Sequence, residues 1–176
     1  TLAQIEQEYG DSVQIAFKHL PLEIHPDARA AHAAAEAAHR QGKFWEMHRA
    51  LFADPKNMDR DSLVRRADAI GLDGHVLGSC LEETTVVAAV QRDIDHATSL
   101  KLRGTPAFLV GQREPDGRVR VTRVIPGAAP FDDFKGAIDE ALAGPGSWQT
   151  RMATVTGIGV LGRAFAFVRL RRAWKR

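Results

Sequence analysis

Gly104-Thr105-Pro106-Ala107-Phe108-Leu109-Val110-Gly111 is the stretch from which the rest of the chain can be ordered. Ala107 to Gly111 is short and apolar, and the proline before it has no N–H for a strand ladder, so a strand is predicted to begin just after Pro106. Glu114-Pro115-Asp116-Gly117 is a polar turn, and Val119, Val121 and Val124 beyond it form a second extended run. Together these give a hairpin with a longer connection. Ile125-Pro126-Gly127 ends the second strand, and Phe131, Phe134, Ile138 and Leu142 follow at helical spacing before Gly144-Pro145-Gly146.

Toward the N-terminus, Leu2, Ile5 and Tyr9 share one helical face, which Tyr9-Gly10-Asp11 terminates. Val13, Ile15 and Phe17 then alternate with Gln14, Ala16 and Lys18, the period of two expected of a strand, and Pro21 stops it near Leu20. His25-Pro26-Asp27 opens an alanine-rich helix over Ala28 to Arg40, and Gly42 interrupts it. Phe44 to Phe52 reads as a second helix closed by Asp54-Pro55, and Asp61-Ser62 as the cap of a third that carries Leu63, Val64, Ala67 and Ile70. Asp73 to Leu102 reads as helix in two pieces. Four or five helical segments thus lie between the first strand and the hairpin. The expected fold is α/β, with the hairpin extending the sheet begun by the first strand and helices on its faces.

The chain's 176 residues, 44% of them hydrophobic, suit one domain that buries a sizeable core without metal or disulfide. That domain is placed at residues 1–146. Residues 147–176 hold seven basic and no acidic residues, against 17 basic and 22 acidic in the body, and are expected to be a poorly ordered basic tail. Met152 to Leu161 is apolar, but at about ten residues it is too short to span a bilayer, which takes about 20. Contact of the tail with a membrane surface is the lesser reading. The chain starts at Thr1 inside a helical pattern, and secretion is neither supported nor excluded. No repeat and no nucleic-acid-reading motif is found.

Cys80 is the single cysteine, so no intramolecular disulfide can form. Between Leu77 and Leu81 it reads as a buried structural residue, and Glu82-Glu83 beside it would disfavour a thiolate. His25, His32 and His39 recur every seven residues, and only His32 with Glu36 has the i, i+4 spacing of a metal-binding pair. Solvated or capping histidines are the preferred reading, with no metal and no cofactor. Phe44, Trp45 and Phe52 are read as core aromatics, Trp45 being the one whose exposure would alter that.

Phe17-Lys18-His19-Leu20-Pro21-Leu22, the His25-Pro26 helix start, Gln41-Gly42-Lys43-Phe44-Trp45-Glu46-Met47-His48, Gly104-Thr105-Pro106 and Gly127-Ala128, in this order, resemble the DsbA-type thioredoxin-fold disulfide oxidoreductases over roughly residues 1 to 143. The resemblance implies a thioredoxin-like fold with a helical insertion between the first visible strand and the C-terminal hairpin. It implies a Cys-X-X-Cys pair and a strand just before Thr1, a cis peptide at Pro106 facing that pair, and Thr105 offering backbone groups to a bound substrate. Protein or peptide thiols and disulfides, and a redox partner protein, are the implied partners, and the periplasm or cell envelope the implied location.

Such exchange needs a thiolate to attack and a second thiol to resolve the mixed disulfide. Neither lies in this chain, so no catalytic residue is assigned within it, and the expected substrate-binding residues are Thr105 and Pro106. Two readings follow: a thiol-disulfide oxidoreductase domain, inactive without its cysteine pair, or a redox-inactive binding or chaperone-like module that keeps the groove.

Overall fold

The computed structural model describes residues 1–143 and 153–159. In chain order these form α1 (Leu2–Tyr9), a 3-10 turn (Gly10–Ser12), β1 (Val13–His19), α2 (Ala28–Arg40), α3 (Phe44–Ala53), α4 (Arg60–Ala69), α5 (Gly74–Cys80), α6 (Thr84–Ser99), β2 (Ala107–Arg113), β3 (Val119–Pro126), α7 (Phe131–Ala143) and β4 (Ala153–Gly159). The fold is mixed α/β with one four-stranded sheet. The described residues fall into two compact units, one holding residues 1–18, 104–143 and 153–158, the other holding His19–Arg103.

The first unit carries the sheet, in the order β1-β4-β2-β3. β2 and β3 form the antiparallel hairpin, from Ala107 opposite Pro126 to Arg113 opposite Val119. β2 is buried from Ala107 through Gln112, as a strand flanked on both edges should be, whereas β3 is mostly exposed. Ile5, Val13, Ile15, Phe108, Val110, Ile125, Phe134 and Ile138 make the core, joined by Val155 of β4. Within it the Phe108 and Phe134 rings meet edge to face at 4.6 Å, an arrangement that the ring quadrupoles favour. Buried Gln112 is satisfied twice, donating to the Ala141 carbonyl in α7 and accepting from Arg120 of β3. Tyr9 at the end of α1 donates its hydroxyl to the Asp139 carboxylate of α7 at 2.7 Å.

The second unit is helical. α2 is amphipathic through alanine: Ala31, Ala34, Ala35, Ala37 and Ala38 are buried, so neighbouring helices can approach closely. Met47, Leu51, Leu63, Leu77 and Val86 from the surrounding helices fill the space these small side chains leave.

Two expectations are corrected. The tail is not without structure throughout, because Ala153–Gly159 forms β4. Its β-branched residues Thr154, Val155, Thr156 and Ile158 suit a strand, and β2 supplies a ladder. The rest of the tail lies outside the described residues. The hairpin lies in the sheet begun by β1, as expected, with β4 standing between β1 and β2. Finally, α4 is capped by Asp59 rather than by Asp61-Ser62: the Asp59 carboxylate accepts from the Ser62 backbone N–H at 3.0 Å, while Asp61 lies inside the first turn.

Two glycines have opposite sensitivities. The ladder register shifts between Val110 and Gly111, where a Cβ at Gly111 would run into the Arg120 carbonyl. Gly136 lies within α7 with open space around it. Gly111→Ala should therefore cost about 1–3 kcal/mol through forced backbone movement. Gly136→Ala should gain about 0.5–1 kcal/mol from helix propensity. Denaturant midpoints measure both, and equal effects of one sign would contradict the packing described.

Candidate functional site

Thr105 and Pro106 sit immediately before β2, in the sheet-bearing unit. The peptide bond between them is cis. The Pro106 carbonyl is occupied, accepting from the Gly127 N–H at 2.7 Å. Gly127 makes this turn at φ 76°, in the left-handed region that glycine enters without a Cβ penalty. Both Thr105 and Pro106 are half-buried, while Gly104 before them is exposed and meets nothing within 4 Å of where a Cβ would stand. Among the described residues, no backbone hydrogen bond outside the helices and strands involves Thr105. The arrangement is a fixed ledge: β2 and the Gly127 turn hold its C-terminal side, and the backbone of Thr105 is presented ahead of it.

Cys80 is in the helical unit, not on this ledge. It is half-buried at the end of α5 and packs against the helical core. Its Sγ donates to a Glu83 carboxylate oxygen at 3.3 Å. Burial pushes the thiol above its ordinary pKa, and the hydrogen bond to Glu83 and its negative charge push it further, against a smaller opposing pull from Arg40. A group held as the thiol is a poor nucleophile. Alkylation of Cys80 by iodoacetamide at pH 7.5 should run several-fold slower than that of a free peptide thiol. Glu83→Gln should accelerate it, and a wild-type rate equal to the free thiol's would contradict the assignment.

The histidines need a correction. His32 is fully buried, neither solvated nor capping. Its Nδ1 lies 2.8 Å from Nδ1 of His19, itself buried at the end of β1, and His19 Nε2 lies 3.6 Å from Glu36 Oε2. Two nitrogens sharing a tetrahedral metal at about 2.0–2.1 Å would stand roughly 3.3 Å apart, so the shorter separation is that of a direct hydrogen bond. Among the described residues no group of three or more His, Cys, Asp or Glu is placed to hold a metal ion. The i, i+4 pair His32 and Glu36 is thus joined through His19, a partner that spacing along one helix could not disclose. Phe44, Trp45, His48 and Phe52 form a chain of ring contacts in this unit, and Trp45 is half-buried.

Burial, with the charges of His19 and His48 added, pushes His32 well below the usual histidine pKa. For Glu36, burial acts upward, but His19, His39 and Arg40 outweigh it and hold the carboxyl low. A histidine kept neutral in the native state and free to protonate when unfolded removes stability as pH falls through its unfolded value near 6.5. Stability should therefore decline between pH 7 and 5, with a slope from His32 approaching about 1.4 kcal/mol per pH unit. The low Glu36 adds a loss only below about pH 4.5. His32→Gln should flatten the decline between pH 7 and 5, as read by urea unfolding, and an unchanged slope would contradict a neutral buried His32.

A ledge of this kind at the start of an interior strand, in an α/β unit with a helical insertion between β1 and β2, defines a thioredoxin-like class of protein. Residues 1–139 match the DSBA-like thioredoxin domain model, and the chain belongs to that family. Among curated proteins it is similar to Na(+)/H(+) antiporter NhaA 3 of Salinispora tropica, with 37% identity over 107 residues, 60% of this chain and 16% of that protein. It is also similar to Na(+)/H(+) antiporter NhaA 1 of Salinispora arenicola, with 33% identity over 62% of this chain and 17% of that one. Na(+)/H(+) antiporter NhaA of Herminiimonas arsenicoxydans is 31% identical over 64% of this chain and 18% of its own. The chain therefore spans less than a fifth of the length of these relatives. No solved structure matches. Among the described residues, no helix is long and apolar enough to cross a membrane.

Proposed function

We propose that this chain is the peptide-recognising part of a thiol-disulfide oxidoreductase that exchanges disulfides with protein substrates in the periplasm or cell envelope, its Cys-X-X-Cys pair being supplied ahead of Thr1. The observation that carries this is the Thr105–Pro106 ledge, with the Pro106 carbonyl tied to Gly127 and the Thr105 backbone presented in front of a buried strand. An extended substrate segment adds to such backbone by strand-like hydrogen bonds, which hold a target sulfur still while it is attacked. Proline removes a competing donor at the position that faces the sulfur. Thr1 is the N-cap of α1 and makes no side-chain capping bond there. A thiol placed at that end would be drawn toward its thiolate by the helix dipole.

Cys80 supports a second reading. With its only thiol held protonated in the helical unit, this chain by itself acts as a binding or chaperone-like module rather than as an enzyme. Both readings share the ledge and differ only in whether thiols are supplied to it.

The chain alone should not catalyse insulin reduction by dithiothreitol. It should bind an extended peptide whose cysteine is S-methylated, and Pro106→Ala should weaken that binding by about tenfold in fluorescence anisotropy. Val87→Ser, at an exposed position of α6, should leave it unchanged. Loss of binding in the α6 variant with full binding in Pro106→Ala would overturn the placement. A longer protein carrying a cysteine pair ahead of Thr1 should turn over in the insulin assay, and failure to do so would remove the enzyme reading alone.

A further inference from the structure

The helical unit holds a small cavity of its own, every lining residue of which lies between His19 and Arg103. Its inner surface is hydrocarbon: Ala30 and Ala33 of α2, Leu63 of α4, Leu81 just after α5, and Val87 and Val90 of α6. Ala33, Leu63, Leu81 and Val90 are buried, whereas Val87 is 50% exposed and marks the mouth. The space exists because α2 turns methyl groups, not longer side chains, toward it. At about 260 Å³ it lies just below the range of drug-sized ligand pockets, about 300–1,000 Å³. With about 30 Å³ for each water-sized group, it has room for about eight or nine methylene-sized groups.

The charged lining groups are Arg29, Arg60 and Glu82, and all three are exposed. They therefore belong to the rim, with two guanidiniums against one carboxylate. Arg29 is engaged by Glu23 at 2.8 Å. Arg60 is the freer of the two to accept a new partner: its nearest carboxylate oxygen, on Glu82, is 3.8 Å away, and the Glu82 side chain is 91% exposed. An exposed pair at that distance contributes little, so an incoming carboxylate can take the place of Glu82. The Arg60 guanidinium also has a defined seat, its Nη2 standing 3.6 Å from where a Cβ on Gly78 of α5 would be.

These features select the occupant. Side chains of alanine, leucine and valine offer no partner to the N–H and C=O groups of a peptide, whereas a hydrocarbon chain needs none. A single anionic end is matched by the excess guanidinium at the rim, and arginine holds a carboxylate through two parallel N–H donors. We propose that this cavity binds an aliphatic carboxylate of about eight carbons, its chain against Ala33, Leu63 and Val90 and its carboxylate on Arg60 in place of Glu82. The site is separate from the Thr105–Pro106 ledge, and either assignment stands or falls without the other.

Titration of octanoate into the isotope-labelled full chain, followed by amide chemical shifts, tests this. Octanoate should shift Ala33, Leu63, Leu81 and Val90 to saturation and leave Thr105 unmoved. Octanol should act on the same amides about tenfold more weakly, since it lacks the charge-assisted contact. Octylammonium should be weaker still. Glu82→Gln should tighten octanoate several-fold by removing the competing carboxylate and leave octanol unchanged. Arg60→Gln should lower octanoate to the affinity of octanol. Val87→Trp, a change at an exposed position, should fill the space and abolish binding of both. Absence of saturable octanoate binding, shifts confined to residues away from the cavity, or equal affinity for octanoate and octylammonium would overturn the proposal.

Discussion

The burial of β2 is the constraint on which the sheet-bearing unit depends. From Ala107 to Gln112 it is covered on both faces and paired on both edges. Every other feature of that unit is arranged around this strand. Phe108 meets Phe134 of α7, Gln112 is satisfied by α7 and by β3, and the glycine at position 111 admits the Arg120 backbone. Because the strand cannot shift without breaking these contacts, its first turn is fixed too, and with it Pro106 and the Thr105 backbone. The position of Thr105 and Pro106 is thus a consequence of packing in the strand behind them.

The helical unit solves a different problem. Its leading helix buries alanines, which brings neighbouring helices close but provides little apolar area per residue. Larger side chains from α3 to α6 make up the volume. In this setting a buried polar pair, His19 with His32, lies within the helical unit. A hydrogen bond between two buried imidazoles requires one to donate and the other to accept, so it specifies their tautomers as well as their distance. The penalty for charging His32 makes this pair sensitive to acid in a way that an apolar contact would not be.

Much of the fold was legible because it is written in local chemistry. Alternation over Val13 to Phe17, the Pro106 strand start, the Glu114–Gly117 turn and the helical spacing of Phe131 to Leu142 each foretell an element that the structure contains. The helical insertion was also legible, its glycines and prolines marking the breaks. What escaped were relations between distant segments. No periodicity indicates that Ala153–Gly159 enters the sheet between β1 and β2, since that depends on an open ladder elsewhere in the chain. The same holds for His32, whose neighbour along the helix, Glu36, could be read from the spacing, whereas its partner on β1 could not. Of the candidate site, the ledge residues were named from the motif, but the tie between Pro106 and Gly127 is visible only in three dimensions.

The chain is a member of the DSBA-like thioredoxin domain family, and its central functional claim concerns where a peptide meets it. Sulfur exchange requires the substrate backbone to be held in register, and the proposed function assigns that role to the Thr105 backbone ahead of β2. The most direct measurement is a set of intermolecular nuclear Overhauser contacts between the isotope-labelled chain and an unlabelled extended peptide. The account predicts contacts from peptide Hα protons to the amide protons of Gly104 and Thr105. Contacts confined to the helical unit, for instance to Leu63, Leu81 and Val87, would contradict it.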